Sequence, residues 1–344
     1  MDSLTQIVLG AACGEAVLGK KIGNKALLFG ALGGTIPDLD VFIGSWMYSN
    51  EIQAMAFHRG FMHSVLFAFI GAFLFGWLVF KLYDKGKRFN STTLRDWQKL
   101  FFWALFTHPL LDCFTPYGTQ LFYPFSDYRV AFNNISVADP FYTAPFLICL
   151  IVLMFFKRQK KQRRLWLKLG IGISSIYMIF TLFNKYRVDS VFESSLKNQN
   201  ISFERYRTQP TIFNNILWYG VVETDTQYFM GFYSLLDEEK KITEWQSISK
   251  DNSVVPMEDK DLAILAWFSD NYYKVRKTDI EGEYRYSDLR YPLLNPDDAE
   301  SSLFSMEIFK KEGRWDMRTN GPDFDKNATA KSIFAPMIER LKGK

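Results

Sequence analysis

The run SVLFAFIGAFLFGWLVF at residues 64–80 holds no charged residue and leads straight into the basic stretch KLYDKGKR. A second uncharged run at 141–156 leads into KRQKKQRR, and a third at 165–184 has one lysine near its start. Apolar runs of this kind are typical of helices that cross a bilayer, although two of the three are slightly short unless flanking residues contribute. The runs predict that the first half of the chain is integral to a membrane.

Three weaker apolar runs contain small residues or an ionisable group, and they lie at 4–19, 26–43 and 100–114. They predict helices packed inside a bundle, where glycine permits close contact between helices. Half-spans or surface helices are the alternative. Clusters of Lys and Arg separate the runs, at 20–25, 81–88 and 157–164. If the positive-inside rule puts all three clusters in the cytoplasm, six spans fit and their opposite ends share the extracytoplasmic face.

After Lys185 the chain changes character. Segments such as QYFMGFYSLL and FSMEIFKKEGRWDMRT alternate apolar and polar residues and are rich in aromatics, so they predict strands. We therefore predict an all-α multi-pass membrane helical bundle of about six helices over 1–185. A small soluble α+β domain over 186–344 follows it, and we expect that domain on the extracytoplasmic side. The net charge of +4 is too small to indicate a nucleic-acid partner.

All three histidines of the chain lie in two short motifs of the apolar half, HRGFMHS and THPLLDCF. A third motif, TIPDLD, carries two carboxylates. Ionisable groups among membrane segments are energetically costly, so each is a candidate functional residue. The predicted topology brings the three motifs to one end of the bundle. The candidate metal ligands are Asp38, Asp40, His58, His63, His108 and Asp112.

The spacing of these residues suits a metal site. His108 and Asp112 are four residues apart, which puts both on one face of a helix. Pro37 makes the Asp38–Asp40 stretch a helix end or a turn, from which both carboxylates could converge. Imidazole and carboxylate together suit Zn²⁺, with Mn²⁺ or Fe²⁺ as alternatives, and the lack of thiolates argues against a structural zinc site. Taken singly, a buried histidine is more often a packing residue and a terminal aspartate a helix cap; their joint occurrence favours the metal.

Further residues near these motifs have two interpretations each. Asp40 is either a ligand or the general base. Arg59, inside the histidine motif, either clamps a phosphate or carboxylate oxygen or pairs with one of the aspartates. Glu15 is a packed polar residue or a support for the ligands. Asp139 and Ser64 stand where a helix N-cap is expected.

The stretches MDSLTQIVLGAACGEAVLG, TIPDLD, HRGFMHS and HPLLDCFTPYGTQLFYPFS, in this order, resemble the bacterial membrane-bound metal-dependent hydrolases. This family includes a LexA-regulated inner-membrane protein, and the resemblance covers residues 1–150. It implies a multi-pass protein of the bacterial inner membrane with a metal site at the six candidate ligands. In one place the chain departs from the pattern: many members have His after the opening Thr, where this chain has Gln6. If that His is a ligand in those members, this chain has lost or replaced it.

A metal-activated water at a membrane–water interface predicts hydrolysis. The first candidate substrate is a phosphoester of a lipid or lipid-linked molecule, with membrane lipids as partners. Two other classes stay open. Histidines and aspartates inside membranes also mark ion paths, which would suit a metal or ion transporter. Alternatively, the metal stabilises the helical bundle of a non-catalytic scaffold, and the C-terminal domain of that scaffold binds a partner.

Overall fold

The structure is a computed structural model that describes residues 1–295, 298, 301–319 and 330–343. The chain forms two compact units. The helical unit comprises Met1–Ile43 and Phe57–Leu182, and the mixed unit comprises Gly44–Ala56 and Phe183–Lys344. The sequence placed a division after residue 185 and did not separate Gly44–Ala56, called the connecting segment below, from its neighbours.

The helices, in chain order, are α1 (Ser3–Ile22), α2 (Asn24–Thr35), α3 (Asp40–Met47), α4 (Glu51–Phe57), α5 (Val65–Tyr83), α6 (Leu94–Asp112), α7 (Pro140–Met154), α8 (Lys161–Asn198), α9 (Lys260–Phe268) and α10 (Ala330–Leu341). Three short 3-10 turns lie between helices in the described part of the chain: Pro37–Leu39 ahead of α3, Phe61–His63 ahead of α5, and Gly86–Arg88 ahead of α6. The first two carry candidate ligands.

Close packing of small residues holds the helical unit together. A Cβ atom on Gly10 or Gly14 of α1 would collide with the backbone of α2, so these glycines allow the two helices to touch. Leu18 of α1, Ala68 of α5 and Trp97 of α6 share one buried cluster. These packed helices and the turns between them carry the three candidate motifs.

The prediction of about six membrane helices is not supported. Within the described residues, α5 and α8 are long and apolar enough to cross a membrane. A third span results if α2 and the segment Pro37–Met47, bent by 42°, count as one. The shortfall has a physical cause: α7 is apolar but has only 15 residues, and α6 begins with the charged residues of LRDWQK. The coarser prediction, a helical N-terminal region followed by a region with β-sheet, is confirmed.

The mixed unit contains two four-stranded antiparallel sheets, each in sequential order. Their strands are β1 (Arg205–Pro210), β2 (Leu217–Glu223), β3 (Gln227–Ser234), β4 (Gln246–Ser249), β5 (Tyr273–Lys277), β6 (Glu283–Asp288), β7 (Ser305–Lys311) and β8 (Arg314–Arg318). The end of α8 packs on the first sheet through Phe192, which contacts the cluster around Trp218. Leu262 and Leu265 of α9 share a cluster with Tyr286 of the second sheet. Each sheet is thus preceded in the chain by a helix that packs on it.

Candidate metal centre

Three of the six candidate ligands converge at one point of the helical unit. Asp38, His63 and His108 each offer one ligand atom, and these atoms all lie within 4.8 Å of one another. Asp38 comes from the turn before α3, His63 from the turn before α5, and His108 from the last turns of α6. Both histidines are fully buried, while the side chain of Asp38 is 22% exposed. The group could hold a metal ion and is open on the side of the aspartate.

The distances within this triad match the ligand spacing around a small divalent ion. The Nε2 atoms of His63 and His108 are 3.1 Å apart. Oδ1 of Asp38 lies 3.5 Å from His63 Nε2 and 3.4 Å from His108 Nε2. Ligand atoms at zinc bond lengths of about 2.0–2.2 Å in a tetrahedron are separated by about 3.3 Å. The triad is therefore already spaced for metal binding.

A hydrogen bond at the outer nitrogen of His108 and a carboxylate contact at that of His63 orient the two rings. His108 Nδ1 lies 2.6 Å from the carbonyl oxygen of Gly34, which can only accept, so Nδ1 is the donor. His63 Nδ1 faces Oδ2 of Asp40 at 3.0 Å. In neutral rings both Nε2 atoms then carry lone pairs, and these point towards each other. Two lone pairs at this separation repel unless a cation or a proton lies between them, so the residues present fit a metal.

Asp112 lies beside the triad, one helical turn after His108. Its Oδ2 is 3.5 Å from His63 Nε2 and 3.6 Å from His108 Nε2, and the residue is fully buried. Oδ1 accepts a hydrogen bond from Gln6 Nε2 at 2.9 Å and contacts the α-amino group of Met1. Oδ2 has no hydrogen-bond partner in the described part of the chain. Arg59 Nε lies 3.4 Å from this oxygen without forming a hydrogen bond, so Oδ2 keeps an acceptor position that a metal ion could use.

Asp40 and His58 form an outer layer around the triad. Oδ1 of Asp40 lies 2.7 Å from His58 Nδ1, and Oδ2 accepts from the backbone N–H of Arg59 at 2.9 Å. Oδ2 of Asp40 also faces the outer nitrogen of His63. The structure thus places Asp40 and His58 next to the triad but not within the group whose ligand atoms converge.

Arg59 is a buried cation at the rim of the centre. Its Nε lies 3.4 Å from Oδ2 of Asp112, Nη1 donates to Thr115 Oγ1 at 3.2 Å, and the guanidinium is 4.4 Å from the ring centroid of Tyr117. The backbone of Arg59 has φ of +60°, a conformation that costs a residue with a side chain about 1–3 kcal/mol. The structure shows the pairing of Arg59 with an aspartate, and the clamp on a phosphate or carboxylate oxygen stays a prediction.

The two histidines of the HRGFMHS motif differ in their pKa. Burial lowers the pKa of His58 below its ordinary value and outweighs the hydrogen bond to Asp40, which raises it. Burial also acts to lower the pKa of His63, but the nearby carboxylates of Asp38 and Asp40 outweigh it and raise that pKa. The carboxylates around His63 therefore favour a positive charge at this point.

The other polar residues singled out from the sequence lie elsewhere. Glu15 forms a bidentate pair with Arg163, with Oε2 2.6 Å from Nη2. Asp139 caps α7 by accepting from Phe141 N at 2.9 Å, and Ser64 caps α5. Gln6, noted in the sequence as a departure from the family pattern, lies at the centre through its bond to Asp112. The role of the Gly34 carbonyl could not have been found from the sequence, because any residue offers this oxygen.

The comparison with protein families covers the helical unit. The family model described as "YdjM inner membrane protein" matches residues 1–188, which include every candidate ligand. The chain is also similar to the "Uncharacterized protein YfhP" of Bacillus subtilis (strain 168), with 29% identity over 151 residues. That alignment covers 41% of this chain and 42% of the relative, so the chain spans less than half of the relative's length. No solved structure matches.

Proposed function

Because the chain belongs to the YdjM inner membrane protein family, we propose that it is an inner-membrane, metal-dependent hydrolase whose centre is the triad Asp38, His63 and His108. The observation that carries the proposal is the meeting of two buried Nε2 atoms, 3.1 Å apart, beside a partly exposed carboxylate. Three protein ligands leave a coordination position open, as catalytic metal sites require.

The metal, Zn²⁺ with Mn²⁺ or Fe²⁺ as alternatives, would supply a Lewis acid and a water with a lowered pKa. Asp38 and the two histidines would hold it. The carbonyl of Gly34 and the carboxylate of Asp40 keep the ring nitrogens turned inwards, which preserves the ligand geometry. Oδ2 of Asp112 lies 3.5 and 3.6 Å from the two Nε2 atoms and would accept a proton beside the open position.

The contacts favour a positioning role for Asp40 over that of general base. Its two oxygens face His58, His63 and the Arg59 backbone, and the residue is 1% exposed. A general base must reach the proton that it removes, whereas both oxygens of Asp40 are already engaged by these three neighbours. Arg59 balances the charge of Asp112 and adds positive potential for an anionic substrate at the rim.

We propose a phosphoester of a lipid or lipid-linked molecule as the substrate. A divalent ion polarises phosphoryl oxygens well, and the guanidinium of Arg59 would donate hydrogen bonds to oxygens of the same phosphate. The helical unit exposes large apolar side chains on α5 and α8, among them Phe73 and Ile176, as expected for contact with membrane lipids. The basic cluster at 157–164 overlaps the start of α8, so the positive-inside rule puts the other end of this helix on the extracytoplasmic side.

The test starts with metal content. The protein is purified in mild detergent without chelator, and bound metals are measured by mass spectrometry for the wild type, Asp38→Asn, His63→Ala and His108→Ala. Asp139→Asn, which removes a carboxylate from the α7 cap, is the matched control. We expect metal in the wild type and control and its loss from the triad variants. Metal-loaded protein is then incubated with phospholipids and lipid-linked phosphates, and phosphate or head-group release is measured.

Two results would count against the proposal. If the wild type stays metal-free when divalent ions are supplied, the proposed metal centre is wrong. If the metal-loaded wild type leaves all these substrates intact, the proposed phosphoesterase activity is wrong. Uptake of labelled metal into vesicles would instead support the transporter, and retention of metal without any turnover would support the scaffold.

A further inference from the structure

The connecting segment Gly44–Ala56 joins two parts of the metal centre. It begins four residues after Asp40 and ends two residues before His58. One carboxylate fixes both flanks, since Oδ1 of Asp40 lies 2.7 Å from His58 Nδ1 and Oδ2 accepts from Arg59 N at 2.9 Å. The two ends of the segment are thus held close together by Asp40. The same carboxylate also faces the outer nitrogen of His63.

The whole of this segment belongs to the mixed unit, and its middle is hydrogen-bonded to the last strand of that unit. Asn50 donates from Nδ2 to the carbonyl of Trp315 at 2.7 Å, and its Oδ1 caps α4 by accepting from Gln53 N at 3.1 Å. The backbone N–H of Glu51 donates to Oδ1 of Asp316 at 2.8 Å. Asn50 is 7% exposed, so these bonds are shielded from water.

Apolar burial adds to these hydrogen bonds. Ile52 is completely buried and belongs to the core cluster of the second sheet. Its neighbours in this cluster include Leu262, Leu265, Tyr286, Met306 and Ile308. The loop that starts and ends at the metal centre is thus held by both polar and apolar contacts of the mixed unit.

We propose that the mixed unit positions the metal centre through the connecting segment. By fixing Asn50, Glu51 and Ile52, it sets the place of Asp40, and Asp40 in turn holds His63 with its Nε2 turned to the metal. Asn50 and Asp316 are then positioning residues for metal binding, although neither is a ligand. A molecule that binds the mixed unit and loosens this segment would lower metal affinity. The inference rests on the proposed metal site.

A double-mutant cycle on the full chain tests the proposal. Asn50→Asp keeps the oxygen that caps α4 but replaces the donor to the Trp315 carbonyl. The Kd for Zn²⁺ is measured by competition with a fluorescent chelator, and folding is checked by thermal unfolding. We expect Asn50→Asp to raise the Kd about tenfold, the low end of the effect of outer partners of ligands. In an Asp40→Asn background the same change has no further effect, since the route to His63 is already lost.

Asp316→Ala provides a second variant should Asn50→Asp not fold, because it removes the acceptor for Glu51 N from the other side. Arg318→Ala is the control: it lies on the same strand but pairs with Glu283 and Glu307. We expect it to bind zinc as the wild type does.

Three outcomes would overturn the inference. If both Asn50→Asp and Asp316→Ala fold and bind zinc like Arg318→Ala, the mixed unit does not position the centre, while the metal site itself stands. If Asn50→Asp weakens binding equally in the Asp40→Asn background, its effect does not pass through Asp40. If the wild type binds no zinc, the proposed function fails, and the inference fails with it.

Discussion

His63 and His108 meet through their Nε2 atoms at 3.1 Å, while their outer nitrogens are occupied by Asp40 and by the carbonyl of Gly34. This arrangement separates two kinds of residue in the centre. Residues that turn an atom inwards can bind a metal. Residues that hold the imidazole rings from outside determine how tightly the inward residues bind it. Mutations of the two kinds have different expected effects.

His108→Gln removes an inward nitrogen, whereas His58→Gln removes an outer partner of Asp40. We expect His108→Gln to weaken zinc binding beyond the roughly 10–100-fold typical of outer residues, and His58→Gln to stay within that range. Chelator competition measures both constants. Equal effects of the two changes would show that His58 is itself a ligand.

A metal bound at the proposed centre would also stabilise the helical unit, because the folded chain presents the triad and the unfolded chain does not. Zinc at about 100 times its Kd adds about 2.7 kcal/mol to the free energy of unfolding. We expect EDTA to lower the Tm of the wild type and to leave that of His63→Ala unchanged. A chelator effect of the same size in both proteins would assign the stabilisation to another site.

Much of the centre could be predicted from the sequence, for an identifiable reason. Histidine is rare in this chain, so its restriction to two motifs was informative, and the four-residue spacing of His108 and Asp112 requires only a helix. The N-cap roles expected for Ser64 and Asp139 were also predictable, because a cap depends on neighbours within three residues. Local chemistry determined each of these features.

Features that depend on distant contacts were not predictable. Asn50 and Ile52 resemble ordinary residues of an amphipathic stretch, and their places are set by partners more than 200 residues away. The predicted number of membrane spans was wrong for a related reason. Burial within a bundle and contact with lipid both select apolar side chains, so composition alone does not separate a short packed helix such as α7 from a membrane span.

Arg59 offsets the buried charge of Asp112. Removing one partner of a buried ion pair costs roughly 3–5 kcal/mol, but the α-amino group of Met1 also contacts Asp112 and reduces the loss. We expect Arg59→Ala to destabilise the helical unit by less than that amount, and Asp112→Asn to restore part of the stability in the double variant. Unfolding by detergent titration measures both. Additive losses would mean that the two side chains are not coupled.

The buried pair of Glu15 and Arg163 provides a test that is independent of the metal. Nε and Nη2 of Arg163 bond both carboxylate oxygens at 2.7 and 2.6 Å, and Nη1 donates to Asn24 Oδ1 at 2.7 Å. Arg163→Met leaves the carboxylate buried without its cation, so we expect a loss of about 3–5 kcal/mol with zinc content unchanged in the protein that folds. Arg163→Met combined with Glu15→Leu should recover most of the stability. A changed zinc content would link Glu15 to the centre.

The glycines of α1 and α8 predict opposite effects of the same substitution. A Cβ on Gly14 would collide with the backbone of Ala26, so Gly14→Ala forces α1 and α2 apart and should cost about 1–3 kcal/mol. At Gly172 in α8, a Cβ would meet no atom of the described residues within 4 Å, and alanine is the better helix former there by roughly 0.5–1 kcal/mol. We therefore expect Gly14→Ala to lower the Tm and Gly172→Ala to keep or raise it. If Gly14→Ala were as stable as the wild type, the two helices could not be packed as closely as the structure has them.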